Sequence, residues 1–250
     1  EKPSLRTRVA FEAGMTQLGG HGSYLSANDI DMGGRESVPD VARNLSRWVQ
    51  VIAARVFRHS TVEELARHAT VPVINALCDR EHPCQALADL MTMREHFGRI
   101  ENLNVVIVGD ILHSRVVRSN LWGLSTMGAN IRLCAPQTLL GSPAHWKATW
   151  PKLKISTDLD ECLPGADVIM ALRLQKERQD AGLLPSLREY NRCFGVTAER
   201  VRLASPSCLI MHPGPMNIGV EIMPDVAKSA QSVIEEQVTN GVAVRMALLY

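Results

Sequence analysis

The sequence predicts an α/β protein made of two doubly wound parallel-sheet domains joined by a crossing helix. Three observations carry that expectation. Helical and extended patterns alternate almost throughout the 250 residues. Several of the extended segments are short, unbroken apolar runs, as expected of strands covered on both faces in a parallel sheet. The alternation then restarts near residue 103, after a long helical segment over 82–98, and so divides the chain into two blocks.

Taken in order, an amphipathic helix opens behind Ser4 and stops at Gly19-Gly20. A second helix near 37–47 has Ser37 as its cap and Pro39 in its first turn. "VQVIAARVF" (49–57) reads as a buried strand. Ser60 and Glu63 stand at capping-box spacing, which starts a helix at Ser60. "VPVINAL" (71–77) is a strand, and the helix over 82–98 closes at Gly98. In the second block, "LNVVIVGD" (103–110), "NIRLCAP" (130–136), "ADVIMAL" (166–172) and "SCLIMHPGP" (207–215) are strands. A helix from about Arg115 to Met127 separates the first two of these, and a loop with a short helix separates the next pair. A final helix from about Ser229 carries Val233, Ile234, Val238, Val242 and Met246 as one stripe.

Composition narrows the function. A formal net charge of +1 argues against a general nucleic-acid or membrane-surface binder. No apolar run approaches the roughly eighteen residues of a membrane span, and the start shows no signal-peptide pattern. The six cysteines are scattered without CxxC pairing, so reduced thiols in a cytoplasmic protein are expected, not a zinc site or a disulfide framework.

Five short motifs fall at strand ends or helix starts. Ser4, Arg6 and Thr7 lie where first-turn N–H groups, a guanidinium fork and a hydroxyl could hold an anion; a solvated basic face is the competing reading. His82 and Gln85 stand three apart at a helix start and can face one ligand, although a lone His is more often a structural hydrogen-bonder. "GDILHSRVVRSN" follows a strand without GxGxxG, which argues against a nicotinamide site and leaves Arg115 to hold a carboxylate or face water. Arg173 and Gln175 project to the same side of an extended segment, a pairing suited to a carboxylate or to a charged surface loop. "MHPGPMN" makes a stiff turn with exposed carbonyls that accommodates a cis Gly214–Pro215 bond. Together the motifs supply anion donors, with no evident nucleophile, carboxylate pair or metal cluster.

In this order, the motifs resemble those of the aspartate and ornithine transcarbamoylases over essentially the whole chain. The first half, from "LRTRVAFEAGMTQLGG" to "VPVINALCDREHPCQALADL", looks more like the ornithine enzymes. The second half, with "VGDILHSRVVRSN", "RLQKERQ" and "HPGPMN..VEI", looks like the aspartate enzymes, and lacks the HCLP expected of an ornithine enzyme. Because the second half selects the amino acid, the resemblance implies carbamoyl transfer from carbamoyl phosphate to L-aspartate. An ornithine or related amine carbamoyltransferase and a non-catalytic carbamoyl-phosphate-binding paralogue are the alternatives.

The resemblance also implies domains at 1–98 for carbamoyl phosphate and 99–225 for aspartate, with a helix over 226–250 packing back on the first. Ser4, Leu5 (through its backbone), Arg6 and Thr7 would hold the phosphate. Arg55, His82 and Thr7 would polarise the carbonyl, and Gln85 would bind the carbamoyl NH2. Arg115 would take the α-carboxylate of aspartate, Arg173 and Gln175 its side-chain carboxylate, and Gly214 and Pro215 would offer carbonyls to the reacting nitrogen. No metal or cofactor is implied. The assembly implied is a homotrimer with sites shared between subunits, open to a larger complex. Three departures accompany the resemblance. The family has some residues ahead of SxRTR, so the chain reads as shortened at its start. Gly34 stands where an aspartate enzyme carries a lysine, and Ile218 where it usually carries an arginine.

Overall fold

The apolar runs become parallel strands. A computed structural model describes residues 1–27, 29–174 and 186–250. It divides into one unit of Glu1–Ala88 with Thr239–Tyr250 and a second of Asp89–Val238.

In the first unit, β1 (Ile52–Arg55) pairs in parallel with β2 (Val73–Leu77). Helices α1 (Leu5–Gln17), α2 (Val38–Trp48) and α3 (His59–His68) surround them in the chain. A small core of Ala42, Ala54, Val56, Val62, Leu65 and Cys78 gathers between α2, α3 and the strands. β1 is shorter than expected and alternates buried and exposed residues, so only one of its faces is fully covered. The opening helix is not an amphipathic core helix. Leu5 is 78% exposed and Val9 49%, and the residues it buries are Thr7 and Gly14. A Cβ at Gly14 would come within 3.1 Å of Met246 Cγ, so close backbone approach does the packing there.

Caps follow local rules at Ser4 and Ser37, whose side chains accept from Thr7 N–H and Asp40 N–H. Helix α3 departs from expectation. It begins at His59, not Ser60, and its cap residue Arg58 makes no side-chain cap bond. The His59 N–H instead donates to Asp79 Oδ1 at 2.7 Å, a carboxylate twenty residues away.

The second unit is a five-stranded parallel sheet in the order β5-β4-β3-β6-β7. Its strands are β3 (Asn104–Val108), β4 (Asn130–Cys134), β5 (Lys154–Ser156), β6 (Val168–Ala171) and β7 (Leu209–Met211). Strand β5 lies in the stretch read as loop and short helix; three residues are too few to show a period. Every residue of β6 and β7 is buried, which is why these strands read as unbroken apolar runs. Between them run α5 (Arg115–Thr126), α6 (Gln137–Leu140), α7 (Pro143–Thr149), α8 (Leu159–Cys162), α9 (Leu187–Phe194) and α10 (Ala198–Val201). Val117, Leu121 and Leu124 of α5 are fully buried, each burial worth about 1.5–3 kcal/mol.

Helix α4 (Pro83–Phe97) ends at Gly98, whose φ of +69° suits a helix C-terminus. Helix α11 (Pro224–Ala227) precedes α12 (Ile234–Leu249), which starts five residues later than the sequence pattern placed it. The expected stripe is also broken: Val233 and Ile234 are buried, but Val238 is 58% exposed. Gln237 and Asn240 are buried in its place.

Candidate active site

In the first unit, three chain segments meet at the end of β1. Parallel pairing runs from Ile52↔Val73 to Ala54↔Asn75, then slips so that Arg55 faces Leu77. The slip ends regular pairing at Arg55. Its Nη1 donates to Thr7 Oγ1 at 3.1 Å, and its Nε donates to the Lys2 carbonyl at 3.1 Å. Lys2 N–H returns a bond to the Arg55 carbonyl at 3.2 Å. Arg55 and Thr7, expected to work together, are thus joined across 48 positions of sequence. Ser4 Oγ accepts the Thr7 N–H at 3.3 Å, so the cap hydroxyl satisfies one first-turn donor that the sequence reading left open to a ligand. Leu5 and Arg6 stand exposed on the same turn.

His82 and Gln85 open α4. The His82 carbonyl accepts the N–H groups of Gln85 and Ala86 at 3.0 and 3.2 Å, with Pro83 as the first helical residue. The preceding turn is organised by a thiol, because Cys78 Sγ accepts the Glu81 N–H at 3.3 Å. Cys84, inside the same motif, is not a ready nucleophile. Burial pushes its thiol pKa up, although Arg245 pulls the other way.

Gly34 lies in a tight turn, where the Gly34 and Arg35 N–H groups donate to the Asp31 carbonyl at 3.1 and 2.9 Å. A Cβ at Gly34 would run into the Asp31 carboxylate. A lysine fits there only if that carboxylate turns away.

In the second unit, the chain winds outward from β3 to β4 and β5, then resumes on the other side of β3 with β6 and β7. The order therefore reverses between β3 and β6, where open α/β sheets form a ligand crevice at the strand C-termini. Gly109 makes the turn after β3 with φ +135°; a Cβ there would lie 2.8 Å from Leu172 Cβ. Asp110, buried, accepts from His113 Nδ1 at 2.8 Å and from His113 N–H at 3.3 Å. This bends the chain into Ser114, whose hydroxyl accepts the Val117 N–H and caps α5. Arg115 is then the first helical residue and is half-buried.

Arg173 lies two residues past the end of β6 and is exposed. Gln175 lies outside the described residues. Gly214–Pro215, after β7, is a cis peptide bond, and Gly214 has φ +67°. Ile218 is half-exposed beside it. Arg115, Arg173 and this turn thus follow β3, β6 and β7, three neighbouring strands. Sequence reasoning passed over the side chains that brace them: Asp89, His212, Asn217, Glu221 and Gln237. His212, Asn217 and Glu221 lie within the quoted HPGPMN..VEI motif, which carried no role for them, and Asp89 is a lone acid in an apolar helical run.

A shallow depression of about 430 Å³ lined by Phe97, Asn102, Asp167 and Ser207 lies at the opposite edge, where β3, β6 and β7 begin. Its chemistry is unrelated to the motifs. Among the described residues no three His, Cys, Asp or Glu side chains gather as a metal ion would require.

Comparison with known proteins gives consistent matches. A family described as the aspartate/ornithine carbamoyltransferase carbamoyl-P binding domain matches residues 1–95, and the Asp/Orn binding domain of the same family matches 101–250. An aspartate carbamoyltransferase catalytic subunit of Roseiflexus sp. (strain RS-1) is 59% identical over 256 residues, covering 99% of this chain and 78% of the relative. A catalytic subunit of the same name from Chloroflexus aggregans is 54% identical over 249 residues, covering 99% and 81%. Among solved structures, ornithine carbamoyltransferase from Pyrococcus furiosus aligns with a TM-score of 0.88 at 37% identity, covering 99% of this chain and 80% of that one. Aspartate transcarbamoylase from Trypanosoma cruzi, in complex with N-(phosphonacetyl)-L-aspartic acid, aligns with a TM-score of 0.82 at 30% identity and the same coverage.

Proposed function

This chain belongs to the aspartate/ornithine carbamoyltransferase family, and we propose that it is an aspartate carbamoyltransferase, making N-carbamoyl-L-aspartate and phosphate from carbamoyl phosphate and L-aspartate. The observation that carries the choice of amino acid is the pair of arginines, Arg115 and Arg173, behind the adjacent strands β3 and β6. Two guanidinium groups beyond neighbouring strand ends suit a dicarboxylate and oppose a cationic side chain. The names of the relatives at 49–59% identity support the same choice.

In this reading the first unit takes carbamoyl phosphate. Ser4, Leu5 (backbone), Arg6 and Thr7 hold the phosphate, Gln85 binds the carbamoyl NH2, and Arg55, His82 and Thr7 donate to the carbonyl oxygen. The second unit takes aspartate through Arg115, Arg173 and Gln175, while carbonyls at Gly214 and Pro215 accept from the amine. The nitrogen lone pair attacks the carbamoyl carbon, and negative charge builds on the oxygen facing Arg55, His82 and Thr7. Preorganised donors at that oxygen are each worth a few kcal/mol. The bond between the carbamoyl carbon and the phosphate oxygen then breaks, and the departing phosphate accepts the proton lost by nitrogen. A protein base is therefore not needed.

The proposed setting is the cytoplasm, and the proposed assembly is a homotrimer with shared sites. Six free cysteines support a reducing compartment, and among the described residues no helix is long and apolar enough to cross a membrane. The test measures carbamoyl-aspartate and citrulline formation side by side. Preferential citrulline formation would overturn the substrate assignment.

A further inference from the structure

A largely buried chain of polar side chains links the turn after β7 to the segment after β6 and to helix α5, which follows β3. His212, the first residue after β7, is 1% exposed, as is Glu221. The Gly214 N–H donates to His212 Nδ1 at 2.8 Å. A backbone amide can only donate, so Nδ1 is bare and the ring proton sits on Nε2. That proton points to Glu221 Oε1 at 3.2 Å. The same carboxylate oxygen accepts the Asn217 N–H at 2.5 Å. Asn217 Nδ2 in turn donates to the Leu174 carbonyl at 2.9 Å, one residue past Arg173.

The chain continues on the other side of His212. Its backbone N–H donates to Gln237 Oε1 at 2.8 Å, and Gln237 Nε2 donates to Asp89 Oδ1 at 2.9 Å. Asp89 Oδ2 accepts from Asn120 Nδ2 at 2.8 Å, on the helix that Arg115 opens. Each amide is therefore oriented by a partner of known polarity, and no link can reverse without breaking its neighbour.

This chain is a poor device for stability alone. Glu221 Oε2 is buried with no hydrogen-bond partner among the described residues, and a buried carboxylate left half-satisfied is costly. Its geometry offers something else. Glu221 Oε1 gathers both ends of the 212–217 turn, and Asn217 hands that position on to the segment bearing Arg173.

We propose that Glu221 is a positioning residue for the amino-acid substrate: through His212 and Asn217 it sets the Gly214–Pro215 carbonyls and the Arg173 segment in register with each other. Resting on the function proposed above, the assignment predicts a specific kinetic signature. Glu221→Ala removes both acceptor bonds, and Asn217→Ala, at a half-buried site, removes the tie to Leu174. Each should raise the KM for aspartate by about tenfold, the effect of losing one or two ordinary hydrogen bonds, while carbamoyl phosphate affinity changes less than twofold. Glu221→Gln keeps an acceptor oxygen in place and should rescue most of the KM effect.

A merely structural role would instead lower the melting temperature and the active fraction, leaving KM alone. The experiment uses the full chain, with steady-state kinetics in both amino acids and calorimetric titration of carbamoyl phosphate. An unchanged amino-acid KM in Asn217→Ala overturns the proposal, whether or not Glu221→Ala folds. So does a Glu221→Gln protein as impaired as Glu221→Ala. If the unmutated protein turns over ornithine and not aspartate, the substrate reading fails separately, and the positioning role is judged on the KM for ornithine.

Discussion

Replacing Arg55 by alanine tests the oxyanion assignment most directly. Arg55 holds Thr7 Oγ1 and the Lys2 carbonyl, each at 3.1 Å, so two of its donors fix the guanidinium in place. Loss of a donor to a developing oxyanion typically lowers kcat by about 10²–10³, or about 2.7–4 kcal/mol. The stability cost should be smaller, about 1–2 kcal/mol, because the side chain is only half-buried and its two protein bonds are partly replaced by water. Arg55→Lys keeps the charge but cannot hold both acceptors with one ammonium, so a loss of about tenfold is expected.

Thr7→Val, nearly isosteric and 8% exposed, removes the hydroxyl that accepts Arg55 Nη1. Because Thr7 is a donor to the same oxygen, the change should cost about 10²-fold alone and clearly less in the Arg55→Ala background, a coupling of about 1–2 kcal/mol. The assay is carbamoyl-aspartate production at saturating substrates for wild type, both single variants and the double variant. Equal effects of Thr7→Val in both backgrounds would show that the pair does not act as a unit. An Arg55→Ala enzyme retaining a third of wild-type kcat would refute the oxyanion role itself.

Two further predictions rest on separate parts of the chain. Arg6→Ala should weaken carbamoyl phosphate binding by about tenfold or more, whereas Arg173→Ala should raise the aspartate KM with little change in carbamoyl phosphate affinity; calorimetry with each ligand separates them, and equal losses of both ligands in both variants would contradict the assignment of one substrate to each unit. Gly109→Ala should destabilise by about 1–3 kcal/mol, since φ is +135° and the new Cβ meets Leu172 Cβ at 2.8 Å. Urea denaturation followed by tryptophan fluorescence measures this, and an unchanged midpoint would show that the β3 turn relaxes freely.

Much of the architecture was legible because the signals involved are local. Four buried residues in β6, and four of the five in β3, leave an unbroken apolar run in the sequence, and such a run implies a covered parallel sheet. Ser4, Ser37 and Ser114 cap helices through N–H groups only three residues away, so the cap and its target appear in one short window. The motifs that mark Thr7, His82, Arg115 and Gly214 were likewise readable, since each sits where a strand or helix signal changes, whereas Arg55, inside an extended run, was marked only by the family resemblance.

Tertiary structure decided what depends on distant partners. Helix α3 starts at His59 because a carboxylate from Asp79 meets its first turn, and no capping rule looks that far. The apolar stripe read onto α12 fails at Val238 because that helix buries Gln237 toward Asp89, 148 positions away. Arg55 meets Thr7 only when the register slip at the end of β1 brings it there. Periodicity and capping are set by covalent neighbours, so a chain displays them before it folds. A buried polar group stays buried only where a complementary donor or acceptor arrives, and that pairing is settled by packing alone.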